Sequence, residues 1–186
     1  MEDFERTVAP GLELRLLNPN DARVIFQAVE RNREALRQWL PWVDGTGSEA
    51  DIERFAQLCR GQWDAGLGPQ CTIWRNREFA GCLGVHAIDW PHRNCSIGYW
   101  LDAAYQGSGI VTKCCASILD YLLIELGLHR VEIRCGTGNS RSCAIPERLG
   151  FTREGVLRQA QCVGGRWIDL VVWSMLAPDW PSHRRS

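Results

Sequence analysis

The chain begins with strand and helix patterns in close succession. Residues 12–16 place leucine at every second position, a period of two that predicts a β-strand. Capping residues at 18–21 then introduce a helix, and a second helical piece ends before Pro41, because the residue ahead of a proline avoids helical geometry. Ser48 begins a further helix that runs to Gly66.

Strands and helices continue in mixed order through the rest of the chain. Extended segments are predicted at 71–75, 79–88, 96–101, 131–135, 151–158 and 167–175. A long helix begins near Gly109 and ends at Gly127, and a shorter helix covers 140–149. Three successive strands without a helix between them indicate an antiparallel portion. The predicted fold class is therefore mixed α/β rather than strict alternation of strand and helix.

Charge and composition exclude several classes of protein. The 186 residues carry 21 basic and 22 acidic side chains, whereas nucleic-acid binders usually show a basic excess. No apolar run approaches the ~20 residues of a transmembrane helix, and the acidic start does not resemble a secretory signal. We expect a cytoplasmic protein with no direct nucleic-acid or membrane partner. One domain over residues 1–186, with its core at about 12–176, fits this length.

Nine cysteines do not predict a metal site or a disulfide framework. Their number is odd, and no two of them are separated by exactly the two residues of a C-x-x-C motif. We expect small apolar core residues in a reducing compartment, and no metal.

The segment 97–112 carries the strongest chemical signal. An apolar strand leads through a short polar turn with Gly107 and Gly109 into a helix. The first N–H groups of a helix lack partners within it and lie at the positive end of its dipole. This turn therefore predicts a site for a phosphate or a pyrophosphate.

Three phosphate-binding motifs compete for this turn. A Walker loop requires a lysine directly after the glycines, but the order here is Thr112-Lys113. A dinucleotide fingerprint requires glycine where Thr112 stands. The acyl-coenzyme A turn, Gln/Arg-x-x-Gly-x-Gly/Ala, matches residues 106–111 except at its last position. Coenzyme A is the best fit, and a nucleotide such as ATP or NAD is the alternative.

Four motifs together resemble one family. They are this turn, Asn32-Arg-Glu-Ala-Leu-Arg-Gln-Trp-Leu-Pro-Trp42, Ile97-Gly-Tyr-Trp-Leu101, and Asn139-Ser-Arg-Ser-Cys-Ala-Ile-Pro-Glu-Arg-Leu-Gly-Phe151 followed by Glu154-Gly155. In this order and spacing the chain resembles the GNAT acetyltransferase superfamily, and within it the ribosomal-protein N-terminal acetyltransferases. The resemblance implies a mixed, mostly antiparallel sheet of about seven strands, splayed in the middle, with flanking helices.

The resemblance also implies where acetyl-coenzyme A binds. The residues that it assigns to the pyrophosphate turn are Gln106, Gly107, Ser108, Gly109, Ile110, Val111 and Thr112. The Leu101 backbone and Asn139 would contact the pantetheine arm. The Tyr99 N–H would point at the thioester carbonyl and stabilise the oxyanion formed on attack by an amine, a contribution of ~3–4 kcal/mol.

Proton transfer is harder to assign. Ser142 matches a serine that relatives are thought to use to protonate the departing thiolate, but it would equally well line the first turn of a helix. Gln161 stands where relatives often place a glutamate base, and an amide cannot take up a proton at neutral pH. We expect Gln161 to position the acceptor. His86 is a possible substitute base, and an ordinary strand position is the competing interpretation.

The acceptor is predicted from the missing carboxylate and from the resemblance. An α-amine with a pKa of ~8 is partly neutral at pH 7–8, whereas a lysine amine at ~10.4 is almost wholly charged. Trp39 and Trp42 would form the wall of the acceptor cleft, unless Trp39 simply packs on the sheet. The predicted function is transfer of acetyl from acetyl-coenzyme A to a protein N-terminal amine.

Two other functions remain open at this point. One is acylation of a small molecule, such as an aminoacyl-nucleotide or an antibiotic amine, with acetyl or succinyl as the acyl group. The other is coenzyme A binding with little catalysis. A homodimer is the expected assembly, because dimers are common in this branch of the family.

Overall fold

The structure, a computed structural model, describes residues 3–180 and contains one eight-stranded sheet. The strands are β1 (Glu5–Ala9), β2 (Leu12–Leu16), β3 (Gln70–Arg75), β4 (Glu78–Val85), β5 (Asn94–Leu101), β6 (Arg130–Gly136), β7 (Thr152–Val163) and β8 (Arg166–Leu176). The α-helices are α1 (Ala22–Leu36), α2 (Glu49–Asp64), α3 (Ile110–Leu119) and α4 (Ser140–Arg148). A π-helical turn over Asp120–Glu125 extends α3.

The sheet is divided near its middle. Its order is β1-β2-β3-β4-β5-β6-β8-β7, and β5 with β6 form the parallel pair among otherwise antiparallel neighbours. Among the described residues these two strands pair only from Asn94↔Arg130 to Ile97↔Ile133. The second half of β5 leaves β6 and opens a gap. The predicted splayed, mostly antiparallel sheet is confirmed, with eight strands where about seven were expected.

Each face of the sheet carries its own pair of helices and its own apolar core. On one face α3 buries Ile118 against Leu83 and Ile97 of the sheet. On the other face α1 and α2 bury Val29 and Ala56 together with Phe79. Successive strand residues point to opposite faces, and the central strands β3, β4 and β5 contribute to both cores.

The structure differs from the predicted elements in several places. The additional strand is β1, which has no alternation of leucines and pairs with β2 at the edge of the sheet. The prediction of a second helical piece before Pro41 was wrong, since α1 ends at Leu36 and Trp39 lies in a turn. The turn is held by contacts with distant parts of the chain, which a local pattern does not contain.

Strand β7 is longer than its predicted end at residue 158. A bulge between Leu157 and Gln161 interrupts its pairing with β8, and Gln159 there has a positive φ of 47°. The Gln159 N–H donates to Asp169 Oδ1 of β8 at 2.7 Å. This bond holds the bulge in place, so pairing resumes at Gln161 and continues to Val163.

Candidate active site

The backbone of β5 presents free polar groups to the gap. The Ser96 carbonyl and the Asp102 N–H both bond toward β4, each at 2.8 Å. Because backbone direction alternates along a strand, the odd-numbered residues between them direct their N–H and C=O groups toward β6. Pairing with β6 ends at Ile97, so the backbone groups of Tyr99 and Leu101 face the gap. One side of the gap is thus the part of the β5 edge that does not pair with β6.

The predicted glycine turn directly follows this edge. Gly107 and Gly109 have positive φ values of 77° and 72°, which a residue with a β-carbon adopts only under strain. A β-carbon on either glycine would meet nothing within 4 Å, so the space above the turn is open. The Ser108 hydroxyl donates to the Tyr105 carbonyl at 2.6 Å and stabilises the turn.

Helix α3 begins in this turn with open N–H groups. Gly109 is its N-cap, and no side chain of the described residues caps it. The N–H groups of Ile110, Val111 and Thr112 are therefore available to an anion, with the positive end of the helix dipole behind them. A cavity of about 310 Å³ opens beside the turn, lined in part by Gln106 and Lys113.

Arg141 is a residue near this site that sequence analysis missed. Its Nη1 donates to Gln106 Oε1 at 2.7 Å, and the Gln106 amide nitrogen lies 3.4 Å from the Leu101 carbonyl. Gln106 therefore spans from the gap to α4, and Arg141 adds positive charge near the pyrophosphate turn. No local signal marks this role, because the two residues are 35 positions apart.

The first turn of α4 is fastened to β5 on the α3–α4 face. The Asn139 side chain accepts a bond from the Ser142 N–H at 3.1 Å, which caps α4. The Tyr99 hydroxyl donates to the Ser142 carbonyl at 2.9 Å. Both backbone groups of Ser142 are thus engaged, and neither bond uses its hydroxyl. Burial raises the pKa of Tyr99 well above its ordinary value, so this phenol stays protonated.

Thiols surround this junction. All nine cysteines are free, and Cys135 lies at the end of β6 beside Cys143 of α4. Burial raises the pKa of Cys135 to about 12, so its thiolate is scarce at neutral pH. No group of three or more metal-ligating side chains occurs within residues 3–180.

The opposite face carries an aromatic wall in the loop that joins α1 to α2. The Trp39 indole covers the end of β6, where a β-carbon on Gly136 would come within 2.9 Å of the ring. The Trp42 ring lies 6.3 Å from the Trp100 ring of β5 and is 39% exposed. Trp39 therefore packs on the sheet, and Trp42 presents a free surface beside the gap.

Side chains from α1 and β7 hold this loop in position. Arg33 donates to the carbonyls of Val43 at 2.5 Å and Thr46 at 2.6 Å. The Gln161 amide donates to the Trp39 carbonyl at 3.0 Å. Gln161 thus contacts the backbone of this loop through its amide nitrogen. Sequence analysis missed Arg33, since its partners are ten and thirteen residues away in an irregular loop.

Residues 11–152 of the chain match a family model described as an acetyltransferase (GNAT) domain. This range includes the gap, the turn and α4. The chain belongs to the GNAT acetyltransferase family. This membership confirms the predicted acetyl-coenzyme A-dependent acetyltransferase activity. It also favours coenzyme A over ATP or NAD as the ligand of the turn.

Similar proteins align over nearly the whole chain. The putative ribosomal N-acetyltransferase YdaF of Bacillus subtilis is 33% identical over 97% of this chain and 100% of its own. The solved structure of RimL, a ribosomal α-N-protein acetyltransferase, in complex with coenzyme A has a TM-score of 0.89 and 27% identity, covering 94% of this chain and 98% of RimL. The microcin C7 self-immunity acetyltransferase MccE, in complex with acetyl-coenzyme A and AMP, has a TM-score of 0.87 and 25% identity, with 91% and 94% covered.

None of the helices in residues 3–180 combines the length and the apolar character needed to cross a membrane.

Proposed function

We propose that this GNAT enzyme acetylates the N-terminal α-amine of a protein, of the kind on which ribosomal-protein acetyltransferases act. The observation that carries the proposal is the absence of a carboxylate at Gln161, whose amide is bonded to the Trp39 carbonyl of the acceptor wall. A site without a strong base there suits an amine that is already partly neutral at pH 7–8. The end-to-end similarity to a putative ribosomal N-acetyltransferase supports the same acceptor.

The donor would lie along the gap. Backbone N–H groups of residues 107–112 hold the pyrophosphate, with Gln106 and Arg141 beside it. The pantetheine arm pairs with the Leu101 backbone, and Asn139 contacts it with the part of its amide that does not cap α4. The cofactor then completes the sheet edge that β6 leaves unpaired.

The reaction proceeds by direct attack. The amine nitrogen, entering from the side of Trp39 and Trp42, bonds to the thioester carbon, and the Tyr99 N–H stabilises the resulting oxyanion. The carbon–sulfur bond then breaks, and the nitrogen gives up its extra proton to a base or to solvent. The departing thiolate takes a proton from water or from the Ser142 hydroxyl, which solvent then reprotonates. No acyl-enzyme forms, and proximity and the oxyanion donor are two of the enzyme's contributions.

A second candidate function is acetylation of an aminoacyl-nucleotide. Its support is the exposed Trp42 face, on which a purine could stack, together with the likeness to MccE in its complex with acetyl-coenzyme A and AMP. It differs from the first in the acceptor alone.

Thiol release from acetyl-coenzyme A over a panel of amines tests the proposal. The panel contains Ser- and Ala-initiated peptides, the same peptides with a blocked N-terminus and an internal lysine, an aminoacyl-adenylate analogue, a polyamine and an aminoglycoside. We expect the free N-terminal peptides to give the highest kcat/KM and the blocked peptides almost none. Faster turnover of the adenylate analogue would replace the first candidate by the second, and coenzyme A binding without any turnover would indicate a binding module.

Three further predictions accompany this function. We propose that residues 1–186 act as one domain, which one continuous sheet from β1 to β8 supports. We also propose a homodimer in the cytoplasm. Sedimentation and cell fractionation test these two statements.

A further inference from the structure

His86 directly follows β4 on the α1–α2 face, next to the part of β5 that still pairs with β6. Its backbone N–H donates to the Ser96 carbonyl of β5, and its ring Nδ1 lies 2.8 Å from Ser96 Oγ. Ser96, Gly98 and Trp100 alternate along β5 and so share one face of the sheet, the face that also contacts Trp42. The acceptor would enter from this side.

The imidazole ring of His86 extends along β5 from Ser96 toward Gly98, the residue before the proposed oxyanion donor Tyr99. A β-carbon on Gly98 would lie 3.4 Å from both Cε1 and Nε2 of the imidazole. Gly98 thus leaves the space that the ring edge occupies. The peptide unit that joins Gly98 to Tyr99 carries the N–H proposed to bind the thioester oxygen. Nε2 is therefore next to that unit, while the bond of Nδ1 to Ser96 fixes the orientation of the ring.

The charges around His86 favour a neutral ring. Partial burial and the Arg134 guanidinium of β6 lower the pKa of His86 below its ordinary value. On the same face Glu132 pairs with Ser96 in the β5–β6 ladder. The pKa of Glu132 is lowered too, because bonds from Arg130 and Arg134 outweigh the effect of its burial. Glu132 is thus committed to two arginines, and His86 retains a free nitrogen.

We propose that His86 is the general base that accepts the proton of the attacking amine. With Nδ1–H donating to Ser96 Oγ, the Nε2 lone pair faces the acceptor. As the amine nitrogen bonds to the thioester carbon, its proton passes to Nε2, directly or through one water, and the electron pair of the carbon–sulfur bond leaves with the thiolate. The imidazolium returns its proton to solvent, to which His86 is exposed.

This assignment explains how the site works with glutamine at position 161. A general base contributes about 10²–10⁴-fold to a rate, and the base must be unprotonated at the working pH. His86 meets that condition, whereas the amide of Gln161 cannot accept a proton at neutral pH. The proposal rests on amine acetylation at the gap, as proposed above, and not on which amine is the acceptor.

The test compares wild-type enzyme with His86→Gln and, as a matched control, His92→Gln in the exposed β4–β5 loop. Thiol release is measured between pH 5 and 9.5 with saturating acetyl-coenzyme A and whichever amine of the panel the wild type uses fastest. If no amine is used, slow hydrolysis of acetyl-coenzyme A is followed. We expect His86→Gln to lower kcat about 100-fold at pH 7, with a smaller deficit at pH 9, where more of an α-amine is already neutral. The affinity for coenzyme A should not change.

A third variant gives a readout that a structural role would not produce. Arg134→Gln removes the cation that faces the ring, so it should raise the pKa of His86 and move the acidic limb of the wild-type pH profile to higher pH. A His86→Gln rate within threefold of wild type at pH 7, with coenzyme A binding intact, would overturn the proposal, as would an unmoved limb in Arg134→Gln. A wild type that prefers a non-peptide amine would instead refute the proposed acceptor and leave the test of His86 valid.

Discussion

The two faces of the sheet differ in what builds their half of the site. In the proposed site, the donor meets mostly backbone on the α3–α4 face: the N–H groups of the glycine turn and the edge of β5. On the α1–α2 face the acceptor meets side chains, namely Trp42, Trp39 and the Gln161 amide that holds their loop. In the proposed function, main-chain groups bind the part of the donor that every reaction shares, and side chains decide which acceptor fits.

The largest expected effect is on coenzyme A affinity, in the half of the proposed site that the backbone forms. Gly109→Val forces a β-branched residue into a φ of +72° and places its side chain in the open space above the turn. We expect affinity for coenzyme A to fall at least 100-fold, about 2.7 kcal/mol, as measured by calorimetry. Gly47→Val, at a loop glycine with equal space and no positive φ, should bind normally. Equal affinities would contradict the assignment of the turn.

The next effect belongs to the side-chain-built half. Gln161→Glu replaces an N–H donor by a carboxylate 3.0 Å from the Trp39 carbonyl, which repels it. We expect kcat/KM for the acceptor to fall about 30-fold, with coenzyme A affinity unchanged. Gln159→Glu is the control, since only the backbone of Gln159 is bonded to Asp169. A gain in activity in Gln161→Glu would instead show that position 161 prefers a base.

A smaller effect separates the hydroxyl of Ser142 from its backbone. Ser142→Ala keeps the N–H that Asn139 caps and the carbonyl that Tyr99 contacts. If the hydroxyl protonates the thiolate, kcat should fall about tenfold with KM unchanged, a modest loss because a thiolate with a pKa of ~8.5 leaves readily. Steady-state kinetics decide between this result and an unchanged kcat, which would limit Ser142 to a structural role.

The smallest expected effect is on protein stability, at the Arg130–Glu154 ion pair, which lies outside both halves of the proposed site. Arg130 donates to Glu154 at 2.6 and 2.7 Å, and with Ser174 it lowers the pKa of Glu154 to about 2. Because the pKa of Glu154 is lower in the folded protein than the value near 4.5 of the unfolded chain, the Glu154 carboxylate stabilises the fold above pH 4.5. This stabilisation is lost as the pH falls toward 2. Glu154→Gln should therefore lower Tm by about 2 °C at pH 7. The difference should vanish near pH 2, with acetyl transfer at pH 7 unaffected.

The sequence predicted the backbone-formed half of the proposed site better than the half formed by side chains. The turn at 106–112, the start of α3 and the succession of strands along the chain were predictable, because glycines, caps and apolar periods act over a few residues. The loop that carries Trp39 and the bulge at Gln159 were not, because Arg33, Gln161 and Asp169 hold them through the tertiary fold. The place of His86 against Gly98 likewise depends on the pairing of β4 with β5.

A crystal structure with a non-hydrolysable acetyl-coenzyme A analogue would show directly how the donor binds. We expect the pyrophosphate on the N–H groups of residues 107–112, the arm alongside Leu101, and the acetyl oxygen within hydrogen-bonding distance of the Tyr99 N–H. An analogue bound outside the β5–β6 gap, or a gap that stays closed by side chains at saturating analogue, would contradict this expectation.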